Sequence, residues 1–179
     1  MSGFLFALVA CLLASLGARD QVLVARLTAA LGPRLTLLAA ALVAAAATAA
    51  LAAWAGSRML ADLAPAHRPV AAGLALIAAG GEMLILGPGR APTEPTRSLF
   101  AAFVVLLAQQ VTDAARLLVL ALAVATAAPV PAGLGGALGS GAGLLVAWLA
   151  PAAPARLAWP RRIAGLVFAI AGIVLLLHH

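Results

Sequence analysis

The sequence predicts an all-α integral membrane protein of six transmembrane helices, arranged as two inverted three-helix repeats. Three observations carry this expectation. Of its 179 residues, 65% are hydrophobic and 9% are charged, where a soluble domain carries about a quarter charged residues. The apolar residues fall into runs near the roughly 20 residues that span a bilayer. Two of the longest runs are each broken near the middle by a polar, charged cluster.

The runs read as Phe4–Leu31, Leu35–Ala55, Val70–Leu86, Leu99–Ala128, Gly133–Ala150 and Ile163–Leu177. Between them lie stretches that stop helices by missing amide donors, ring clashes or backbone freedom. These are Gly32-Pro33-Arg34, the polar turn Ser57–Pro69, Gly87–Arg97, Pro129–Pro131 and Pro151–Arg162. The GPGRAPTEPTR stretch of residues 87–97 is the most linker-like. The expected organisation is therefore a first three-span repeat at 1–88, a linker at 89–97 and a second repeat at 98–179. Leu5-Phe6-Ala7 matches Leu99-Phe100-Ala101, and Leu12-Leu13-Ala14 matches Leu106-Leu107-Ala108, both at an offset of 94. Three spans per half is an odd number, so the second half must enter the bilayer inverted.

All eleven basic residues are arginines, and the formal charge is +6. They are scattered between apolar runs, which fits positive-inside topology and argues against nucleic-acid binding. Turns after the first, third and fifth spans carry Arg34, Arg90, Arg97, Arg156, Arg161 and Arg162, and the opposite side carries Arg58 and Arg68. This bias places the odd-numbered turns in the cytoplasm and both termini outside a bacterial inner membrane. Leu8-Val9-Ala10-Cys11 has the look of a lipoprotein cleavage site, but Met1-Ser2-Gly3 lacks the basic side chain of a signal peptide. The N-terminal run is expected to be a retained span. Cys11 is the single cysteine.

The two clusters are Ser15-Leu16-Gly17-Ala18-Arg19-Asp20-Gln21 and Gln109-Gln110-Val111-Thr112-Asp113-Ala114-Ala115-Arg116. Placing an Asp or Arg at mid-bilayer costs about 2.5–3.5 kcal/mol on insertion scales, so such groups face protein or water and mark functional sites. Gly17 predicts a break in the first run, and both runs exceed one straight span. A broken helix frees carbonyls and amides that can hold an ion or substrate. Asp113 and Arg116, three residues apart, are expected to pair on one helix face. Arg19 and Asp20 are adjacent, do not share a face, and need partners elsewhere.

These clusters resemble the hallmark of the transmembrane protein 165/Gdt family of cation exchangers, Glu-x-Gly-Asp-Lys/Arg-Thr/Ser followed by Gln, once per half. In the first cluster Gly17, Arg19 and Gln21 match, while Ser15 stands for the Glu, Ala18 for the Asp and Asp20 for the Thr/Ser. The second fits one residue later than the repeat offset. There Asp113 matches, Gln110 is a near-isostere of the Glu, and Thr112 replaces the Gly. The resemblance implies exchange of Mn²⁺ or Ca²⁺ for protons, with Asp113 and Asp20 as metal contacts. Gln110, Gln109, Ser15 and Glu82 would assist, and Arg19 and Arg116 would be counter-ions. Hard cations want several oxygens, preferably anionic. Asp20 and Asp113 face two arginines, so the summed charge is near zero and tight divalent binding is not expected.

Glu82 follows Gly80-Gly81 in the third span. It reads first as an acid near the interface or hydrogen-bonded in the bundle, and second as a replacement carboxylate. Arg161-Arg162 reads as topology charge touching lipid, Trp54, Trp148 and Trp159 as interfacial anchors, and the glycines of span five as packing contacts. His67 lies in a turn. No phosphate loop, paired His ligands or Cys–His couple occurs, so no enzyme is expected and no resident cofactor. The expected partners are the bilayer, a transported cation and protons, with homo-oligomers left open. Two rivals compete with cation exchange: a non-transporting scaffold or accessory protein with a decayed site, and an exporter of a small organic solute.

Overall fold

The computed structural model describes residues 2–86, 98–154 and 157–178, and among them every regular element is helical. The linker at 87–97, with Arg90 and Arg97, lies outside the described residues, as do Arg156 and His179. The first apolar run is two helices, α1 (Ser2–Ser15) and α2 (Arg19–Leu31), bent by 58°. α3 (Leu35–Asp62) and α4 (Arg68–Ile85) follow, joined by a 3-10 turn at Pro65–His67. The second broken run gives α5 (Leu99–Val111) and α6 (Ala114–Ala125), bent by 49°. α7 (Pro129–Leu149) and α8 (Ala158–Leu177) complete the chain. Four helices are long and apolar enough to cross a membrane, and six crossings result if each bent pair counts as one. Helices of this kind make the chain a multi-pass membrane protein.

Both breaks have local causes. Gly17 has φ 72°, a left-handed conformation that only glycine adopts without a steric penalty. The second break needs no glycine. Asp113 takes an extended backbone (φ −81°, ψ 150°) as the N-cap of α6, and its Oδ2 accepts from the Ala115 amide at 3.3 Å. Ala18 holds the equivalent cap of α2, with φ −65° and ψ 159° and no side chain able to cap.

Three boundaries differ from the sequence expectation. Ser57, Arg58 and Asp62 belong to the end of α3 rather than to a turn. Pro129 and Pro131 open α7, and Pro160 with Arg161 and Arg162 lies in the opening of α8. A proline in the first turn loses nothing, because those amides have no helical acceptor.

Packing depends on close backbone approach. α1 lies on α7, α3 on α7 and α4 on α8. Gly73 faces Gly172, and Gly80 faces Gly165, so α4 and α8 cross antiparallel with almost no side chain between them. A Cβ on Gly80 would run into the Gly165 carbonyl and Ala169, and one on Gly172 would sit 2.6 Å from the Gly73 carbonyl. The lipid-facing surface carries the large side chains, such as Phe6, Val43, Leu51 and Ile170, all exposed. Small residues and the polar side chains occupy the interior. In lipid no hydrophobic force separates the two, and contact distance and hydrogen bonding decide which residues face inward.

Candidate functional site: the charged centre at the two helix breaks

The breaks release backbone groups that must be satisfied inside the bundle. At the first, the Gln21 side chain does this. Its Oε1 accepts from the Gly17 amide at 2.6 Å and its Nε2 donates to the Gly143 carbonyl at 2.8 Å. The Ala14 carbonyl, left free at the end of α1, accepts from Arg161 Nη1 at 2.7 Å. Ser15 bonds back to the Cys11 carbonyl, and Cys11 Sγ donates to the Ala115 carbonyl at 3.3 Å. Gln21 and Ser15 are thus fastened to backbone.

Two polar groups meet beside these breaks. In the first, Asp20 Oδ1 accepts from the Gln21 amide at 2.7 Å and Oδ2 from Gln110 Nε2 at 3.0 Å. Thr48 Oγ1 lies 3.3 Å from Gln110 Oε1, and Arg116 Nε donates to Thr48 Oγ1 at 2.8 Å. Arg116 Nη1 donates to Ser140 Oγ at 3.0 Å. A continuous polar chain therefore runs from α2 through α5, α3 and α6 to α7. Asp20, Gln110, Thr48, Arg116 and Ser140 are all buried.

In the second group, Glu82 on α4 meets Arg161 from the start of α8, at 2.5 Å, and Arg19 from the start of α2, at 3.5 Å. Arg161 Nη2 also lies 3.6 Å from Asp113 Oδ1. The antiparallel glycine crossing of α4 and α8 is what sets Arg161 opposite Glu82: past Gly80, α4 runs alongside the residues that precede Gly165. Charges of three acids and three bases (Asp20, Glu82, Asp113, Arg19, Arg116, Arg161) sum to zero across the two groups.

These geometries correct two expectations. Asp113 and Arg116 do not pair with each other. Asp113 is an N-cap in extended backbone, so its carboxylate turns to the Ala115 amide and Arg161, while Arg116 turns to two hydroxyls. Arg161 is no lipid-facing topology charge: it is 3% exposed and ties three elements together. Its neighbour Arg162 is exposed. Glu82 is hydrogen-bonded in the bundle rather than turned to the interface. Gln109 stays apart from Asp20, partly exposed, with its Oε1 unbonded among the described residues. Arg19 and Asp20 do find separate partners, Glu82 for one and Gln110 from the other half for the other.

Sequence reading missed Thr48, Ser140 and Arg161. Thr48 had a signal, being a lone hydroxyl deep in the Ala-rich run of α3, and Ser140 a weaker one among glycines. Arg161 had none, because its meaning depends on which helices surround the start of α8. Among the described residues no group of three or more His, Cys, Asp and Glu side chains is gathered as a metal cage. Asp20 and Asp113 are the expected metal contacts, and each is held by a donor from this chain. No family model, curated protein or solved structure matches the chain.

Proposed function

We propose that the chain is a multi-pass membrane transporter, a divergent relative in design of the cation/proton exchangers, working at the charged centre between its two broken helix pairs. The observation that carries this is the Asp20–Gln110 hydrogen bond at 3.0 Å, which joins one break to the other across 90 positions. Charged groups at bilayer depth are kept for transport pathways and relays more often than for packing. Asp20 is the carboxylate of the centre that makes no ion pair among the described residues, so it is the one free to exchange a proton or cation. Asp113 and Glu82 reach that state only when Arg161 and Arg19 let go, and a change of pairing of that kind is what alternating access would use.

An inverted repeat of three spans per half is part of the proposal. It is supported by paired features: bent helices of 58° and 49°, N-caps at Ala18 and Asp113, and hydroxyls at Thr48 and Ser140. The glycines add to it. Gly73 and Gly80 correspond to Gly165 and Gly172, at the same separation of 92 positions that relates Thr48 to Ser140. A twofold relation maps the Gly73–Gly172 contact onto Gly165–Gly80, and both contacts occur. We also keep the topology with both termini outside a bacterial inner membrane, now with Arg161 removed from the charge bias.

Mn²⁺ or Ca²⁺ as cargo is supported by the match of Asp113 to the exchanger motif and opposed by the neutral total charge. The test is Mn²⁺ flux in liposomes containing the purified chain, compared with Asp113→Asn, which keeps the cap and removes the charge. Flux above empty vesicles that falls in the variant supports exchange. No flux at any pH ends the cation version and favours the scaffold reading, which draws on the closed Arg19–Glu82–Arg161–Asp113 pairing.

A further inference from the structure

Arg116 differs from the other two arginines of the centre. It makes no ion pair with a carboxylate among the described residues. Its Nε and Nη1 donate to Thr48 and Ser140, and Nη2 has no hydrogen-bond partner among the described residues. Both hydroxyls give their own protons to helix carbonyls, Thr48 to Ala44 and Ser140 to Gly136, each at 2.8 Å. They therefore act on Arg116 only as neutral acceptors. They orient the guanidinium without neutralising it. Asp20 stands on the far side of Thr48 and Gln110 in the polar chain. A buried cation with a spare donor and no opposite charge in contact is an incomplete pair.

The same side chain, with Thr48, forms the polar end of a cavity of about 180 Å³ between α3 and α6. Its remaining walls are apolar, among them Ala52, Leu117 and Leu120. Leu51 and Val111 stand at its rim, each about half exposed on the lipid-facing surface. Thr48 is the midpoint of the 28-residue α3, so the polar end lies at mid-depth and the opening faces the acyl chains. A guanidinium favours a carboxylate over a spherical ion, and the apolar wall rewards a ligand with a hydrocarbon tail.

We propose that this cavity binds a small amphiphilic monocarboxylate, with its head on Arg116 and its tail against α3 and α6. This names a cargo class for the centre and so rests, for its role in transport, on the reading above. One positive charge matches one negative charge, and inorganic ions gain nothing from the wall.

The test is calorimetric titration of the purified full-length chain in lipid nanodiscs with acetate, butyrate, hexanoate and chloride. Affinity should rise by about fourfold per added methylene until the cavity is full, and chloride should bind at least tenfold more weakly than butyrate. Arg116→Lys keeps the charge, loses the guanidinium, and should weaken butyrate binding at least tenfold. Ala52→Phe fills the cavity without changing Arg116 and should abolish binding, and Leu120→Trp repeats this from the opposite wall in case the first variant does not fold. Equal binding of chloride and butyrate, unchanged binding in Arg116→Lys, or unchanged binding in both cavity-filling variants would overturn the proposal, leaving the cavity to lipid tails. Butyrate binding that meets these criteria without flux of either butyrate or Mn²⁺ in liposomes sinks the transport reading and keeps the site. Mn²⁺ flux without carboxylate binding does the reverse.

Discussion

Gln110 donates its side-chain amide to Asp20 at 3.0 Å, and so the break in the second half of the chain holds the buried carboxylate of the first. Gln110 occupies the position where the exchanger motif it resembles has an acid. The amide spares the centre a carboxylate–carboxylate contact and leaves it neutral overall.

Gln110→Glu restores that acid. Two carboxylates would then lie about 3 Å apart at full burial, and one must take up a proton or share a cation. Without metal the variant should unfold at a lower temperature than the parent chain. With Mn²⁺ present its melting point should rise further than the parent's does, by an amount corresponding to about 2.7 kcal/mol at a hundredfold excess over the dissociation constant. Melting curves in detergent with and without Mn²⁺ decide it. An equal response of both proteins would show that the Asp20 position offers a cation nothing new.

Glu82 and Arg161 form the closest ion pair of the centre, each side chain under 10% exposed. Removing either partner alone, as Glu82→Gln or Arg161→Gln, strands the other and should destabilise by about 3–5 kcal/mol. The double variant should lose less than the sum, because no unpaired charge is created at this contact. Arg19 and Asp113 will keep part of the deficit, since both also touch the pair. A double-mutant cycle by chemical denaturation reads the coupling. A coupling near zero would mean that the two charges are solvated separately.

Neighbouring glycines on α4 should behave in opposite ways. Gly80 abuts the backbone of α8, whereas among the described residues nothing lies within 4 Å of a Cβ built on Gly81. Gly80→Ala must push α4 and α8 apart and should destabilise by about 1–3 kcal/mol, the usual range for overpacking. Gly81→Ala should be neutral or stabilising by up to about 1 kcal/mol through helix propensity. The difference in melting temperature between the two variants measures how closely the helices meet. Equal behaviour would contradict the crossing and, with it, the placement of Arg161 beside Glu82.

Several parts of the centre were legible in the residues. Gly17 announced its break, because a left-handed backbone is a property of the glycine itself. The polar clusters announced which runs carry buried charge, because bilayer depth follows from position within an apolar run. The partners of Arg19 and Asp20 were legible only as a need for something elsewhere. The pairing of Asp113 with Arg116 was read from helical spacing, and that spacing does not apply where Asp113 leaves the helix to cap the next one. The glycine spacing shared by α4 and α8 was present in the sequence, but glycines are common in membrane helices and a pair seven apart means little until the helices are seen to touch.

Run length, hydropathy, Gly and Pro determined by themselves that this chain is a helical, multi-pass membrane protein with two interrupted helices. Each of those properties acts within a turn or two of chain, so it can be read where it stands. Only the tertiary structure decided that Arg161 belongs to the interior, that Glu82 is its partner, and that Arg116 faces hydroxyls and a cavity rather than an acid. An ion pair forms where side chains from distant helices converge, and which helices converge is set by how closely their backbones can approach.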